Sequence, residues 1–183
     1  VQDIVEGESL DDLRKRGPLD PREAARIVRE IADAVAAVHR EGILHRDLKP
    51  ANVILQPSGE PILLDFGIAR DLDAQRLTQT GALLGTPAYM APEQAAGEHP
   101  DVLGPHTDVY GLGAILYVLL RGEAPFSGGQ FAVIKAVLTD EPVWPSSERS
   151  EIPPDLEAVL RVAMAKDISQ RYPTAEALRE ELD

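Results

Sequence analysis

Between His45 and Asn52 the chain reads HRDLKPAN, which puts a carboxylate at Asp47, an ammonium at Lys49 and an amide at Asn52 just ahead of the apolar run Val53-Ile54-Leu55. A strand at that run would hold Asn52 rigidly. A second apolar run, Ile62-Leu63-Leu64, delivers Asp65 beside Asn52 if the two runs pair. Two such oxygen ligands converging on one point suit a hard cation such as Mg²⁺, which takes one or two protein oxygens plus phosphate and water. Lys49 brings positive charge to a transferring phosphoryl group. Asp47 can orient a hydroxyl or accept its proton. Local spacing alone therefore describes a phosphoryl-transfer site.

Positioning those groups requires elements on either side. Upstream, Ala24, Val28, Ile31, Val35 and Val38 recur at steps of four and three, the period of a helix over 21–40. Asp20 is a suitable cap, Pro21 suits the first helical position, Glu23 completes a capping-box spacing, and Gly42 provides the stop. A shorter helix is predicted over Leu10–Arg16 after Ser9. Between the two apolar runs lies QPSGEP, which reads as the turn of a small hairpin. From Asp65 to His106 the residues are rich in Gly, Thr, Pro and Ala with little periodicity, and a connection of that length is usually functional or disordered. Helices are predicted again near 107–120, 130–138, 156–166 and 175–182, the last capped by Thr174. The sum is a mostly helical body carrying one hairpin and one long loop.

Composition narrows the function classes. The 183 residues suit one domain, and a net charge of −13, from 18 basic and 31 acidic side chains, argues against general binding to nucleic acid or an anionic membrane. Any phosphate site must be local. The absence of Cys removes disulfides, zinc-thiolate sites and thiol nucleophiles. The longest apolar run, Val109–Leu120, contains Gly111 and Gly113 and is too short to span a bilayer, so it reads as a closely packed core helix. No targeting segment is evident. His99 and His106 match no metal-ligand spacing, His39 sits near a helix end where solvation is expected, and His45 reads as a packed structural histidine.

HRDLKPAN, then DFG at Asp65–Gly67, then APE at Ala91–Glu93, follow one another in the order of a protein kinase catalytic domain, which the chain resembles along essentially its whole length. Lys49 two residues after Asp47, and Thr86 ahead of APE, resemble the serine/threonine branch. LTQTGALLGTPAYMAPEQAAGE and DVYGLGAILYVLLRGEAPF are similar to bacterial Hanks-type kinases. The resemblance implies an α+β fold of the kinase large-lobe type, mostly helical, with a small hairpin, a catalytic loop at 45–52 and a long activation segment at 65–93. It implies ATP and Mg²⁺ as cofactors and Ser/Thr-bearing proteins as substrates. Asp47 would be the catalytic base, Lys49 the contact to the γ-phosphate, and Asn52 with Asp65 the metal ligands. Thr86 would help place substrate and catalytic loop. Thr78 and Thr80 match activation-loop threonines that such kinases autophosphorylate. Each phosphate adds roughly −1.5 to −2 charges, for which Arg46 and Arg70 are the expected partners. Glu93 and Arg171 match an ion pair tying APE to the late helices, and Asp108 matches an anchor for the catalytic-loop backbone.

Residues 1–8 resemble the end of the last small-lobe strand and the hinge, with 9–183 as the large lobe. Under that alignment Gln2 is the gatekeeper, Asp3 and Val5 face the adenine through their backbones, and Ile54 lies on the pocket floor. The family's Gly-rich loop, strand Lys and partner Glu all precede the hinge. Lys15, the first Lys of the chain, follows it on a polar helix face and does not replace the strand Lys. The expectation is a large lobe that takes its small lobe in cis, with weak nucleotide binding and negligible transfer by these 183 residues alone. The alternative from another class is a kinase-like module that docks partner proteins without catalysis. A catalytic lobe must face ATP, which implies the cytoplasm; family members are often membrane-anchored through other regions, and no membrane contact is expected from this segment.

Overall fold

A computed structural model describes residues 6–64 and 87–183. Strand β1 (Glu8–Ser9) runs straight into helix α1 (Leu10–Arg14), where the Asp12 N–H donates to Ser9 Oγ at 3.1 Å. Helix α2 (Pro21–Arg40) has the bounds its punctuation predicts. Asp20 Oδ1 accepts from the N–H groups of Arg22 and Glu23 at 2.9 and 3.4 Å. Glu23 turns its own carboxylate to Arg26, at 2.8 Å, and not back to the cap. Gly42, with φ +74°, ends the helix in the left-handed conformation that favours glycine.

Strands β2 (Val53–Leu55) and β3 (Pro61–Leu63) form the expected antiparallel hairpin, with Val53 opposite Leu63 and Ile54 opposite Ile62. The sheet has a third strand that periodicity does not reveal: β1 pairs with β2, placing Ser9 opposite Ile54. Two residues are too few to show alternation. Arg26 Nη2 donates to the Gly59 carbonyl at 3.0 Å, tying the hairpin turn to α2.

The remaining helices are α3 (Pro92–Ala95), α4 (Pro105–Arg121), α5 (Gln130–Thr139), α6 (Pro154–Ala163) and α7 (Ala175–Glu181). Helix α3 lies in the stretch predicted to be irregular, because four residues carry no detectable period. Helix α4 is buried from Thr107 to Leu120 on every side. An apolar helix without a polar face must be the core element, and α2, α6 and α7 pack around it. A smaller cluster of Ala88, Phe126, Val133 and Val137 joins α5 to the turn Pro87–Tyr89. Among the described residues no helix is long and apolar enough to cross a membrane.

Candidate active site

Asp108 occupies the first turn of α4, where the positive end of the helix dipole favours a carboxylate, and its side chain is 1% exposed. Three donors converge on it. The backbone N–H of His45 donates to Oδ2 at 2.8 Å, that of Arg46 to Oδ1 at 2.8 Å, and His39 Nε2 lies 2.7 Å from Oδ2. His39 is thus not solvated: it stands one turn beyond Val35 on the buried edge of α2, and its side chain is only 9% exposed. Asp108 pins the start of the 45–52 loop to the core helix.

His45 is buried, and its ring takes one definite form. Nδ1 accepts the Asp47 N–H at 3.3 Å, so Nε2 carries the proton and donates to the Leu64 carbonyl at 3.2 Å. Burial pushes its pKa below the ordinary 6.5, against the pull of the Leu64 carbonyl and of Asp108. The bond from Asp47 needs Nδ1 unprotonated and hence the neutral ring, and burial supplies the reason it stays neutral.

Asp47 Oδ2 accepts from Lys49 Nζ at 2.8 Å and from Asn52 Nδ2 at 3.1 Å, while Asn52 Nδ2 also donates to the Asp47 carbonyl at 2.8 Å. The loop is closed on itself by these bonds, and the Leu64 N–H donates to the Asn52 carbonyl at 2.8 Å as the hairpin continues. With its amide nitrogen committed to Asp47, the atom Asn52 has to offer a cation is Oδ1, an oxygen of the kind Mg²⁺ selects. The donor chemistry of Asn52 therefore fits such an ion. Ile54 is half-buried in the middle strand of the sheet. A small cleft runs from Asp47 and Lys49 past Tyr89, Met90 and Gln94.

Farther out, Arg171 Nη1 and Nη2 reach Glu93 Oε1 and Oε2 at 2.8 and 2.7 Å, both side chains being at most 2% exposed. The same guanidinium donates to the carbonyls of Ala165, His106 and Lys166. Burial alone would raise the Glu93 carboxyl; the bonds and charge of Arg171 overcome it and hold the group below its ordinary 4.5. Asp3, Val5, Asp65, Arg70, Thr78, Thr80 and Thr86, and Gln2 with them, lie outside the described residues. Among the described residues no group of three potential metal ligands forms, at His99 and His106 or elsewhere.

One contact has no counterpart in the residues singled out from the sequence. Gln94 Oε1 accepts the Ala91 N–H at 3.1 Å, and Gln94 Nε2 donates to the Arg46 carbonyl at 2.9 Å. The available signal was its place directly after APE, on the first turn of a helix.

A strapped loop carrying an aspartate, a lysine and an asparagine ahead of a hairpin, seated on a buried helix, is the arrangement the protein-kinase resemblance implies. The chain matches the protein kinase domain over residues 1–182 and belongs to that family. It is 40% identical over its whole length to the serine/threonine-protein kinase PknB of Mycolicibacterium smegmatis. It is 45% identical, over 97% of its length, to the serine/threonine-protein kinase PkaA of Streptomyces coelicolor, and 37% identical to PknB of Mycobacterium tuberculosis. It spans 29% of the first of these relatives, 32% of the second and 29% of the third.

Proposed function

We propose that the protein containing this chain is a serine/threonine protein kinase, which transfers the γ-phosphoryl group of ATP to Ser or Thr hydroxyls of proteins. The observation that carries this is the Asp47 carboxylate, held by Lys49 and Asn52 on a loop that Asp108 fixes to α4. Asp47 orients the substrate hydroxyl and receives its proton; Lys49 bridges from Asp47 toward the γ-phosphate. Asn52 and Asp65 hold Mg²⁺, which supplies charge neutralisation at the phosphates when bound. That the similar proteins are serine/threonine-protein kinases supports the Ser/Thr specificity.

The other assignments belong to the same proposal. Residues 1–8 form the hinge, Asp3 and Val5 meet the adenine through their backbones, and Ile54 floors the pocket. Residues 9–183 form the large lobe, which works with a small lobe in cis. Thr86 helps seat the substrate, and Thr78 and Thr80 are phosphorylated, with Arg46 and Arg70 as cationic partners. The activity is expected on the cytoplasmic side, where ATP is.

The test uses the full-length protein with labelled ATP and a Ser/Thr-containing protein substrate. Asp47→Asn should lower turnover about 10²- to 10⁴-fold, the usual worth of a positioned acid–base group, with the melting temperature nearly unchanged. Retained turnover would remove Asp47 from this role. Binding of partner proteins without any transfer by the wild type would favour the non-catalytic docking module.

A further inference from the structure

Arg46 has φ +62°, and among the described residues it is the one non-glycine with a positive φ. That conformation is unfavourable for a side-chain-bearing residue and persists only where its surroundings over-determine it. Two side chains from different elements grip its backbone. Asp108 Oδ1 of α4 accepts the Arg46 N–H at 2.8 Å, and Gln94 Nε2 of α3 donates to the Arg46 carbonyl at 2.9 Å.

The second grip bears on the chemistry. The peptide unit joining Arg46 to Asp47 is fixed at both its polar atoms, its carbonyl by Gln94 and its N–H by His45 Nδ1 at 3.3 Å. Because the peptide is rigid, its plane fixes the N–Cα bond about which Asp47 turns, and so, with the φ and χ1 of Asp47, where the carboxylate points. At its other end the Gln94 amide holds the Ala91 N–H at 3.1 Å, the cap position of α3. Glu93, the neighbour of Gln94 on that short helix, is fastened to Arg171. An unbroken series of bonds therefore runs from the late helices through α3 to the backbone that carries Asp47.

We infer that Gln94 is a positioning residue for phosphoryl transfer, its amide using both ends at once to lock the APE segment to the Arg46–Asp47 peptide and so to aim the Asp47 carboxylate. The inference rests on the kinase reading above. Gln94 suits the task because a primary amide accepts through one atom and donates through the other over the length this gap requires. A glutamate in its place retains the acceptor for Ala91 but sets an ionised oxygen against the Arg46 carbonyl. When protonated, that glutamate regains a donor.

The experiment compares wild type, Gln94→Met and Gln94→Glu in the full-length kinase, measuring kcat and KM from about pH 8 down to about pH 5.5, a range chosen to begin protonating a carboxyl in a partly buried site. At the alkaline end both variants should lose about 10- to 100-fold in kcat, the scale of a small misplacement of a catalytic group, with KM for ATP little changed. The activity of Gln94→Glu relative to wild type should climb as the pH falls, while that of Gln94→Met stays flat. A purely structural role moves both variants in parallel. Values of kcat within about twofold of wild type, a scatter typical of neutral substitutions, would overturn the inference, as would parallel pH profiles. If Gln94→Met fails to fold, the pH profile of Gln94→Glu alone decides: no relative climb overturns it. An inactive wild type would instead sink the kinase reading on which all of this stands.

Discussion

Gly111 lies so close beneath Leu48 that a Cβ built on it would stand 2.7 Å from Leu48 Cβ, so the core helix meets the 45–52 loop with no side chain of its own at the contact. Leu48 sits between Asp47 and Lys49 and is 4% exposed. Gly111→Ala should relieve the helix of about 0.5–1 kcal/mol of glycine's entropic disadvantage. Overpacking should cost about 1–3 kcal/mol, so the net effect is destabilising. Under the proposed function, kcat of the full-length protein should fall as well, since Leu48 can yield only by moving its neighbours. At Gly113 the nearest atoms are Met164 Cγ at 2.8 Å and Ala163 Cβ at 3.0 Å, at the end of the helix that packs behind α4 and away from the 45–52 loop. Gly113→Ala should therefore destabilise the fold too but spare kcat, which denaturant midpoints and steady-state rates on both variants will check.

The Glu93–Arg171 pair should behave as a buried ion pair does when halved. Arg171→Ala strands the Glu93 carboxylate in the interior and is expected to cost about 3–5 kcal/mol, whereas replacing both by apolar residues of similar volume should recover much of the loss. The carboxyl is depressed in the folded state, so its contribution is present above about pH 4.5 and is lost as acid titrates it. In urea melts the gap between wild type and Glu93→Gln should narrow as the pH falls below that value. A gap that stays constant into acid would contradict the assignment.

Asp108→Ala would leave the N–H groups of His45 and Arg46, and His39 Nε2, without their acceptor. Each buried donor left unpaired costs about 1–3 kcal/mol, and because the three share one carboxylate their losses should not add simply. Asp108→Asn keeps one acceptor oxygen and should lie between wild type and alanine. Equilibrium unfolding of the three proteins will rank them; equal stability of alanine and wild type would refute the anchoring role.

His45 should resist protonation. Its folded pKa lies below 6.5, so between that folded value and 6.5 the unfolded chain binds the extra proton and stability drops as the pH is lowered. Above 6.5 the group adds no slope. ¹⁵N NMR of the ring should show Nε2 protonated and Nδ1 bare well into mildly acidic solution, and His45→Gln should flatten the stability profile in that window. A ring titrating at or above its ordinary value would overturn this.

The parts legible in the sequence are those whose causes sit in adjacent residues. Asp20, Pro21 and Gly42 punctuate α2, and the structure gives it the bounds Pro21–Arg40. The runs around QPSGEP pair as a hairpin because a turn and two short apolar segments are local signals. HRDLKPAN, DFG and APE in order named the family, as motif order is readable without coordinates. What eluded the reading was short or marginal. Strand β1 has two residues, α3 has four, and His39 lies at the edge of the apolar stripe on α2, where exposure and burial look alike in a periodicity.

The linear order of residues thus determined the longer helices, the hairpin and the inventory of reactive groups, since capping, turn formation and amphipathic period act within a few positions. Only the tertiary structure decided who meets whom: His39 with Asp108, Gln94 with the Arg46 carbonyl, Gly111 with Leu48. Those partners are brought together by the burial of α4 at the centre of the core. Their contacts depend on packing between elements far apart in the chain, to which no local window of side chains gives access.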